Sequence, residues 1–93
     1  MDALSALSGS GPAYFFYIME ALIEAAQKHG LPLEDAKNLI IATMQGSAIL
    51  ARLSNVSLAE LRNNVTSKGG MTEQGLKVLR EQKCDEILKQ ALN

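Results

Sequence analysis

The chain has 93 residues, of which 47% are hydrophobic and only 4% are aromatic, and its formal net charge is −1. This length fits one domain with a modest core, and the abundance of Ala, Leu and Ile is typical of packed helices. Nine basic residues nearly balance ten acidic residues, so no basic stripe points to nucleic-acid binding. We expect a single all-α domain, residues 1–93, built as a bundle of about five helices.

Cysteine use and hydropathy set further limits. Cys84 is the only cysteine, which excludes a disulfide framework within the chain and favours a reducing, cytoplasmic compartment. The longest apolar stretch, residues 13–26, is interrupted by Glu20 and Glu24, and no basic segment precedes the first apolar residues. We therefore expect neither a membrane span nor a signal peptide. No cluster of Cys, His, Asp or Glu has metal-ligand spacing, so no metal site is predicted.

The first long helix is predicted to begin at Ser10-Gly-Pro. Ser10 is a suitable N-cap, and Pro12 would lie in the first turn, where its missing N–H does no harm. The helix should run to about His29, where the imidazole could meet the last carbonyls, and Gly30 should end it.

A second long helix follows Gly30. Residues 31–35 place acidic side chains in its first turn, and it should extend from Ala36 to about Leu53. Both helices are apolar on more than one side, whereas one packed neighbour covers a stripe of only about 100°. The surplus apolar surface predicts a second subunit. Small residues would let two backbones approach closely: Ala36, Ala42, Gly46 and Ala48.

Three shorter helices complete the predicted fold. Ser57 and Glu60 have the spacing of a capping box before a helix from about Leu58 to Asn64. A fourth helix should run from about Thr72 or Glu73 to Lys83, and a fifth from Cys84 to Leu92. The apolar residues of the last helix are expected to face inward: Ile87, Leu88 and Ala91.

The segment between the third and fourth helices carries the strongest chemical signal. Gly69 and Gly70 allow backbone N–H groups to converge just before a helix, whose N-terminal end is positive. Ser67 and Thr72 add hydroxyls that can donate to a carboxylate. From these residues alone two interpretations stay open: an anion-binding site, or an ordinary helix start in which Gly-Gly precedes a helix capped by Thr72.

Other chemistry finds little support in the sequence. Gly9-Ser-Gly11 is an incomplete match to a dinucleotide fingerprint, because Tyr14 occupies the third glycine position and no strand precedes the motif. His29 is the only histidine, and the members of a Ser/His/Asp or Cys/His set are missing. Hydrolytic chemistry by this chain is therefore not expected.

Two segments resemble the pyrroline-5-carboxylate reductase family. Residues 65–79, Val-Thr-Ser-Lys-Gly-Gly-Met-Thr-Glu-Gln-Gly-Leu-Lys-Val-Leu, are similar to its signature, in which a Ser/Thr pair, one residue, Gly-Gly, one residue and Thr lead into a helix. Residues 2–14, Asp-Ala-Leu-Ser-Ala-Leu-Ser-Gly-Ser-Gly-Pro-Ala-Tyr, resemble the family's passage from its nucleotide domain into its helical domain. The distance between the motifs also fits. Lys68 and Met71 depart from the pattern, since proline and a smaller residue are usual there.

The resemblance implies reduction of 1-pyrroline-5-carboxylate to L-proline with NADPH or NADH, the last step of proline biosynthesis. It assigns Ser67 and the amides of Gly69, Gly70 and Met71 to the substrate carboxylate, and Thr72 to the ring nitrogen. Orientation of that nitrogen is favoured over proton donation, because a threonine hydroxyl is a poor acid near neutral pH.

The resemblance also implies that an N-terminal Rossmann domain, absent from this chain, binds the cofactor. We therefore expect this chain alone to bind no cofactor and to be inactive, and its cofactor-binding residues stay unknown. Members of the family form homodimers through interleaved helices, and some stack these dimers into larger rings. Two alternatives remain: a noncatalytic helical dimerisation module, and a reductase-like paralogue with another substrate.

Overall fold

All regular structure in the described part of the chain is helical. The computed structural model describes residues 2–93. Five α-helices follow in order: α1 (Ala3–Lys28), α2 (Leu33–Leu53), α3 (Leu58–Asn64), α4 (Met71–Glu81) and α5 (Cys84–Leu92). The all-α prediction is confirmed. The chain divides into two compact units, one that extends to Arg52 and one that begins at Leu53.

Helix α1 begins much earlier than the sequence predicted. Ser10 and Pro12 lie inside the helix, so the predicted N-cap is wrong. Asp2 is the N-cap, and its carboxylate accepts a hydrogen bond from the Ser5 backbone N–H at 2.8 Å. This contact satisfies one of the donors that a helix start leaves open. Pro12 removes a single backbone hydrogen bond from a helix of 26 residues, and the helix continues through it.

The end of α1 agrees with the prediction. Gly30 has a φ of +101°, a left-handed conformation that glycine adopts without steric cost. Its N–H donates to the Gln27 carbonyl at 2.9 Å, and the Leu31 N–H donates to the Ala26 carbonyl at 3.1 Å, which together form a Schellman motif. At His29 the backbone N–H donates to carbonyls of the last turn, a role that the sequence had assigned to the imidazole.

The observed bounds of α2, α3 and α5 lie close to the predicted bounds. In α3 the predicted cap is present, because the Ser57 hydroxyl accepts a hydrogen bond from the Glu60 N–H at 3.1 Å. Helix α4 ends two residues before the predicted Lys83. Lys83 has a φ of +57°, in the left-handed region, and therefore cannot continue α4. This residue separates α4 from α5.

Many apolar side chains of the long helices are exposed in this single chain. Among residues 2–93, Ala36 is the only buried hydrophobic residue. Phe16 is 61% exposed and Tyr17 is 75% exposed, although full burial of such a side chain is worth about 1.5–3 kcal/mol. The large exposed hydrophobic residues of α1 and α2 are Leu4, Leu7, Phe15, Phe16, Tyr17, Leu22, Leu33, Leu39, Ile41, Ile49, Leu50 and Leu53.

The apolar face of helix α5 is also exposed to solvent in the single chain. The prediction that Ile87, Leu88 and Ala91 face inward is wrong for the single chain, in which all three are exposed. The helical period identifies which face is apolar, but it does not tell whether the same chain covers that face.

Candidate functional site

The predicted site lies in unit 2, in the loop between α3 and α4. Thr66 fastens the start of this loop to α3: its N–H donates to the Asn63 carbonyl at 3.1 Å, and its hydroxyl donates to the Arg62 carbonyl at 2.6 Å. The Thr66 hydroxyl is thus used within the chain. Of the Thr66-Ser67 pair, Ser67 is the residue whose hydroxyl can serve a ligand.

Residues 67–70 form a tight turn. The Gly70 N–H donates to the Ser67 carbonyl at 3.0 Å, and Gly69 has a φ of +77°. A positive φ at the third of four residues is the mark of a type II turn, in which glycine is favoured. Lys68 occupies the second position, where proline is common because its fixed φ suits this turn. The turn therefore forms with lysine at a position that proline also suits.

Gly69 and Gly70 are needed for different reasons. Gly69 supplies the left-handed conformation, whereas Gly70 has φ −84° and ψ 178°, which any residue can adopt. A Cβ atom on Gly70, however, would lie 3.2 Å from the Ser67 carbonyl oxygen and 3.5 Å from the Ser67 Cβ. Gly70 therefore permits a close approach of the two backbones.

The start of α4 presents unpaired amides. Gly70 is the N-cap and makes no side-chain cap hydrogen bond, and the first helical bond runs from the Gln74 N–H to the Gly70 carbonyl at 3.2 Å. Within residues 2–93, the amides of Met71, Thr72 and Glu73 consequently have no acceptor. These N–H groups carry the positive end of the helix dipole, which favours an anion.

Glu73 makes a contact that the sequence analysis missed. Its Oε1 atom accepts a hydrogen bond from the Gly69 N–H at 3.0 Å. Two of the three predicted carboxylate-binding amides, those of Gly69 and Gly70, thus have partners in the chain, and the Met71 amide stays open. The signal was present in the sequence, because an acidic residue in the third helical position commonly reaches back to an amide before the helix.

The remaining predicted groups are accessible. The hydroxyls of Ser67 and Thr72 make no hydrogen bond within the part of the chain that the structure describes, and both residues are exposed. Met71 is 91% exposed, so its side chain extends into solvent. One turn and the first turn of α4 therefore bring together all five predicted site residues: Ser67, Gly69, Gly70, Met71 and Thr72.

Unit 2 also contains a groove with a volume of about 550 Å³. Its floor is apolar, and Arg62 and Arg80 contribute positive charge to it. None of the five predicted site residues lines it. The lining residues are Arg62, Leu76, Leu79, Arg80, Cys84, Asp85 and Leu88.

Residues 2–93 contain neither a dinucleotide fingerprint nor a metal cluster. Gly9 and Gly11 lie inside α1, and a dinucleotide fingerprint requires a strand before a helix, which this range lacks. In the same range no three His, Cys, Asp or Glu side chains group in a way that could hold a metal ion. None of the described helices combines the length and apolarity needed to cross a membrane.

Two curated proteins similar in sequence to this chain are pyrroline-5-carboxylate reductases. The chain is 45% identical over 93 residues to pyrroline-5-carboxylate reductase of Pseudomonas aeruginosa, covering all of this chain and 34% of that protein. It is 43% identical over 88 residues to pyrroline-5-carboxylate reductase 2 of Bacillus subtilis, covering 95% of this chain and 32% of the relative. The chain thus spans about a third of the length of these relatives.

Two solved structures share the fold. A pyrroline-5-carboxylate reductase from Coxiella burnetii has a TM-score of 0.93 and 49% identity, over 97% of this chain and 33% of that chain. The pyrroline carboxylate reductase of Plasmodium falciparum with NADP bound has a TM-score of 0.95 and 37% identity, over 99% of this chain and 36% of that one. The family model described as pyrroline-5-carboxylate reductase dimerisation matches residues 1–93. The resemblance found in the sequence is confirmed, and the chain belongs to the pyrroline-5-carboxylate reductase dimerisation family.

Proposed function

We propose that residues 1–93 form the dimerisation and substrate-binding domain of a pyrroline-5-carboxylate reductase. The complete enzyme reduces 1-pyrroline-5-carboxylate to L-proline with NADPH or NADH in proline biosynthesis. The observation that carries this proposal is the turn at residues 67–70, which leads directly into unpaired amides at the start of α4. Family membership supports the reaction.

The substrate carboxylate binds at the amides that α4 leaves open. The N–H groups of Met71 and Thr72 donate to its oxygens, and the Ser67 hydroxyl adds a third donor. Fixed backbone dipoles at a helix start hold a small anion without a buried lysine or arginine. Gly69 and Gly70 shape the turn, and their absent side chains leave the approach to these donors unobstructed.

Thr72 orients the ring nitrogen of the substrate. Its amide and its hydroxyl belong to the same residue, so one residue can contact both the carboxylate and the adjacent ring. A threonine hydroxyl is a poor proton donor near neutral pH, so its role is to accept or share a hydrogen bond with a nitrogen that is already protonated. Positioning of this kind contributes to rate by holding the imine carbon in a reactive geometry.

The nicotinamide cofactor binds outside residues 2–93, because no strand in this range supplies a dinucleotide fold. It supplies the hydride. The P. falciparum relative has NADP bound, which supports NADPH or NADH as the cofactor of the complete protein. This chain alone binds no cofactor and is inactive.

The partner is a second copy of the chain. The exposed apolar faces of α1 and α2, and that of α5, support a homodimer in which helices of the two copies interleave. Dimers can then stack into a higher oligomer. The single cysteine, Cys84, is compatible with the reducing conditions of the cytoplasm, where we place the protein.

One observation favours a second candidate, a noncatalytic dimerisation module. The amides of Gly69 and Gly70 already have acceptors in the chain, so the turn between α3 and α4 forms without a ligand. A reductase-like paralogue with another cyclic substrate would keep the same loop. Kinetics on several cyclic imines distinguish these possibilities.

The substitution Gly70→Val tests the proposed site in a form of the protein that carries the nucleotide-binding domain. The new Cβ would lie 3.2 Å from the Ser67 carbonyl oxygen and displace the turn. We expect kcat/KM for 1-pyrroline-5-carboxylate to fall by up to roughly 100-fold, the loss that a misplacement of about 1 Å causes, because the Ser67 carbonyl must shift to make room for the new side chain. Sedimentation should show an unchanged dimer. Unaltered kinetics would refute the assignment of the loop.

A further inference from the structure

Residues 8–12 are the part of α1 that is least suited to a helix. The run Ser8-Gly-Ser-Gly-Pro12 lies inside the helix and contains two glycines and a proline. Glycine and proline are the two least favourable residue types in a helix interior. The other helical glycines, Gly46 in α2 and Gly75 in α4, each stand alone. Residues 8–12 therefore combine three unfavourable positions within little more than one turn.

Pro12 opens the backbone hydrogen bonding of α1 at this segment. It has no N–H, so the Ser8 carbonyl lacks the donor that residue 12 supplies in a regular helix, and the proline ring crowds the same carbonyl. Gly9 and Gly11 add backbone freedom, because they have no Cβ. A Cβ on either glycine would meet no atom within 4 Å outside the local helix backbone. Packing within the described chain therefore does not require glycine at these positions.

The start of α1, before this segment, is short and uncovered. Leu4 is 76% exposed and Leu7 is 53% exposed, so the rest of the described chain does not cover them. Residues 3–7 complete less than two helical turns, which is too short for a helix that is stable alone in water. The direction of this start therefore depends on residues 8–12.

We propose that residues 8–12 form a hinge in α1, about which residues 2–7 and the nucleotide-binding domain upstream of them change direction relative to residues 13–28. Sharp bends in helices occur at proline and at Gly/Ser pairs, and this segment contains both. Movement of a domain about a few such residues lets an enzyme bind and release its ligands. The domain movement rests on the proposed function, whereas the hinge is a property of this chain.

Distances between two spin labels test the hinge in the 93-residue chain. Labels on Ser5→Cys and Gln27→Cys, in a Cys84→Ser background, lie on either side of residues 8–12, and both positions are exposed. A straight helix places the two Cα atoms about 33 Å apart, at about 1.5 Å per residue. Dilution with unlabelled chain removes distances between copies. We expect a broad distribution for this pair.

A stiffened variant and two controls make the result specific. Gly9→Ala with Pro12→Ala restores the donor for the Ser8 carbonyl and should narrow the distribution at least about twofold. Gly46→Ala, the same kind of change in α2, should leave it broad. A pair at Ala13 and Gln27 lies beyond the hinge and should be narrow throughout.

Two outcomes would overturn the hinge. One is a narrow distribution in the wild-type chain, which would make α1 a single rigid rod. The other is a broad distribution that the double variant does not narrow, which would assign the disorder to fraying of the first turn.

Kinetics in the protein with its nucleotide-binding domain test the domain movement. We expect the double variant to lower kcat at least about threefold while the inhibition constant of L-proline changes less than about twofold, because domain opening and closing limits turnover in many enzymes. An unchanged kcat together with a narrowed distribution would overturn the domain movement. An inactive wild-type protein would instead reject the proposed function, and the distance measurements would still decide the hinge.

Discussion

The long helices α1 and α2 and the loop at residues 65–72 are incomplete in different ways. In the helices it is the side chains that lack neighbours, because large apolar residues such as Phe16 and Tyr17 are exposed. In the loop it is the backbone that lacks partners, because the amides of Met71 and Thr72 have no acceptor within residues 2–93. The comparison shows that exposed apolar side chains favour binding of another protein surface, whereas amides without acceptors favour binding of a small anion.

The largest effect is expected where the helices lack neighbours. Phe16→Glu places a charge on an apolar face of α1, and in a symmetric dimer the change occurs twice. We expect the dissociation constant of the dimer to rise by at least about 100-fold, because aromatic residues at an interface carry much of its binding energy. Sedimentation equilibrium over a range of concentrations measures this constant.

Gln27→Glu is the matched control for Phe16→Glu. It adds the same charge to α1 at an exposed polar position. An equal weakening of the dimer by both variants would show that charge, and not the apolar face around Phe16, controls association.

A smaller effect of defined sign is expected in the loop. Gly69→Ala forces a residue with a side chain into φ +77° and should lower the free energy of unfolding by about 1–2 kcal/mol. Gly75→Ala, inside α4, should raise it by about 0.5–1 kcal/mol, since a Cβ there meets no atom within 4 Å and glycine is a poor helix former. Chemical denaturation measures both. If both variants changed the free energy of unfolding in the same direction, the difference proposed between Gly69 and Gly75 would be wrong.

Sequence reasoning succeeded where the signal was local. The capping serine of α3, the left-handed Gly30 after α1 and the Gly69-Gly70 turn each depend on a few neighbouring residues, and the structure contains all three. It failed at the start of α1, because two cap signals competed. Proline is favoured in a first turn, yet Asp2 caps the helix earlier and Pro12 is tolerated inside it.

The rest of the site and of the fold could not be predicted from patterns of neighbouring residues. The hydrogen bond from Gly69 to Glu73 depends on which amide the carboxylate reaches, and the spacing of a capping box would have suggested the neighbouring Gly70. The inward orientation expected for Ile87 and Leu88 depends on what covers α5. A sequence pattern identifies the apolar face of a helix, but it does not identify the surface that packs against that face.

The smallest effect concerns the N-cap of α1. The hydrogen bond from the Ser5 backbone N–H holds the pKa of the Asp2 carboxyl below its ordinary value of 3.8. A carboxyl with a lowered pKa stabilises the folded helix above the ordinary value, and this contribution is lost as the pH falls through the lowered one. Circular dichroism at 222 nm should therefore show a slight loss of helix below pH 3.8.

Asp2→Asn separates the charge from the cap. Asparagine is as good an N-cap as aspartate, so this variant should keep the helix content of α1 at neutral pH and lose the acid-dependent change. Asp2→Ala should reduce helix content at all pH values. A wild-type acid response that persists in Asp2→Asn would assign the change to another carboxyl.

The most direct measurement is reduction of 1-pyrroline-5-carboxylate, followed as loss of nicotinamide absorbance, with this chain alone and with a form that carries the nucleotide-binding domain upstream. The account predicts activity only in the longer protein, because the proposed substrate site lies in the loop before α4 and the cofactor is proposed to bind to the upstream domain. Absence of activity in the longer protein would contradict it and would leave a helical dimer without a reductase function.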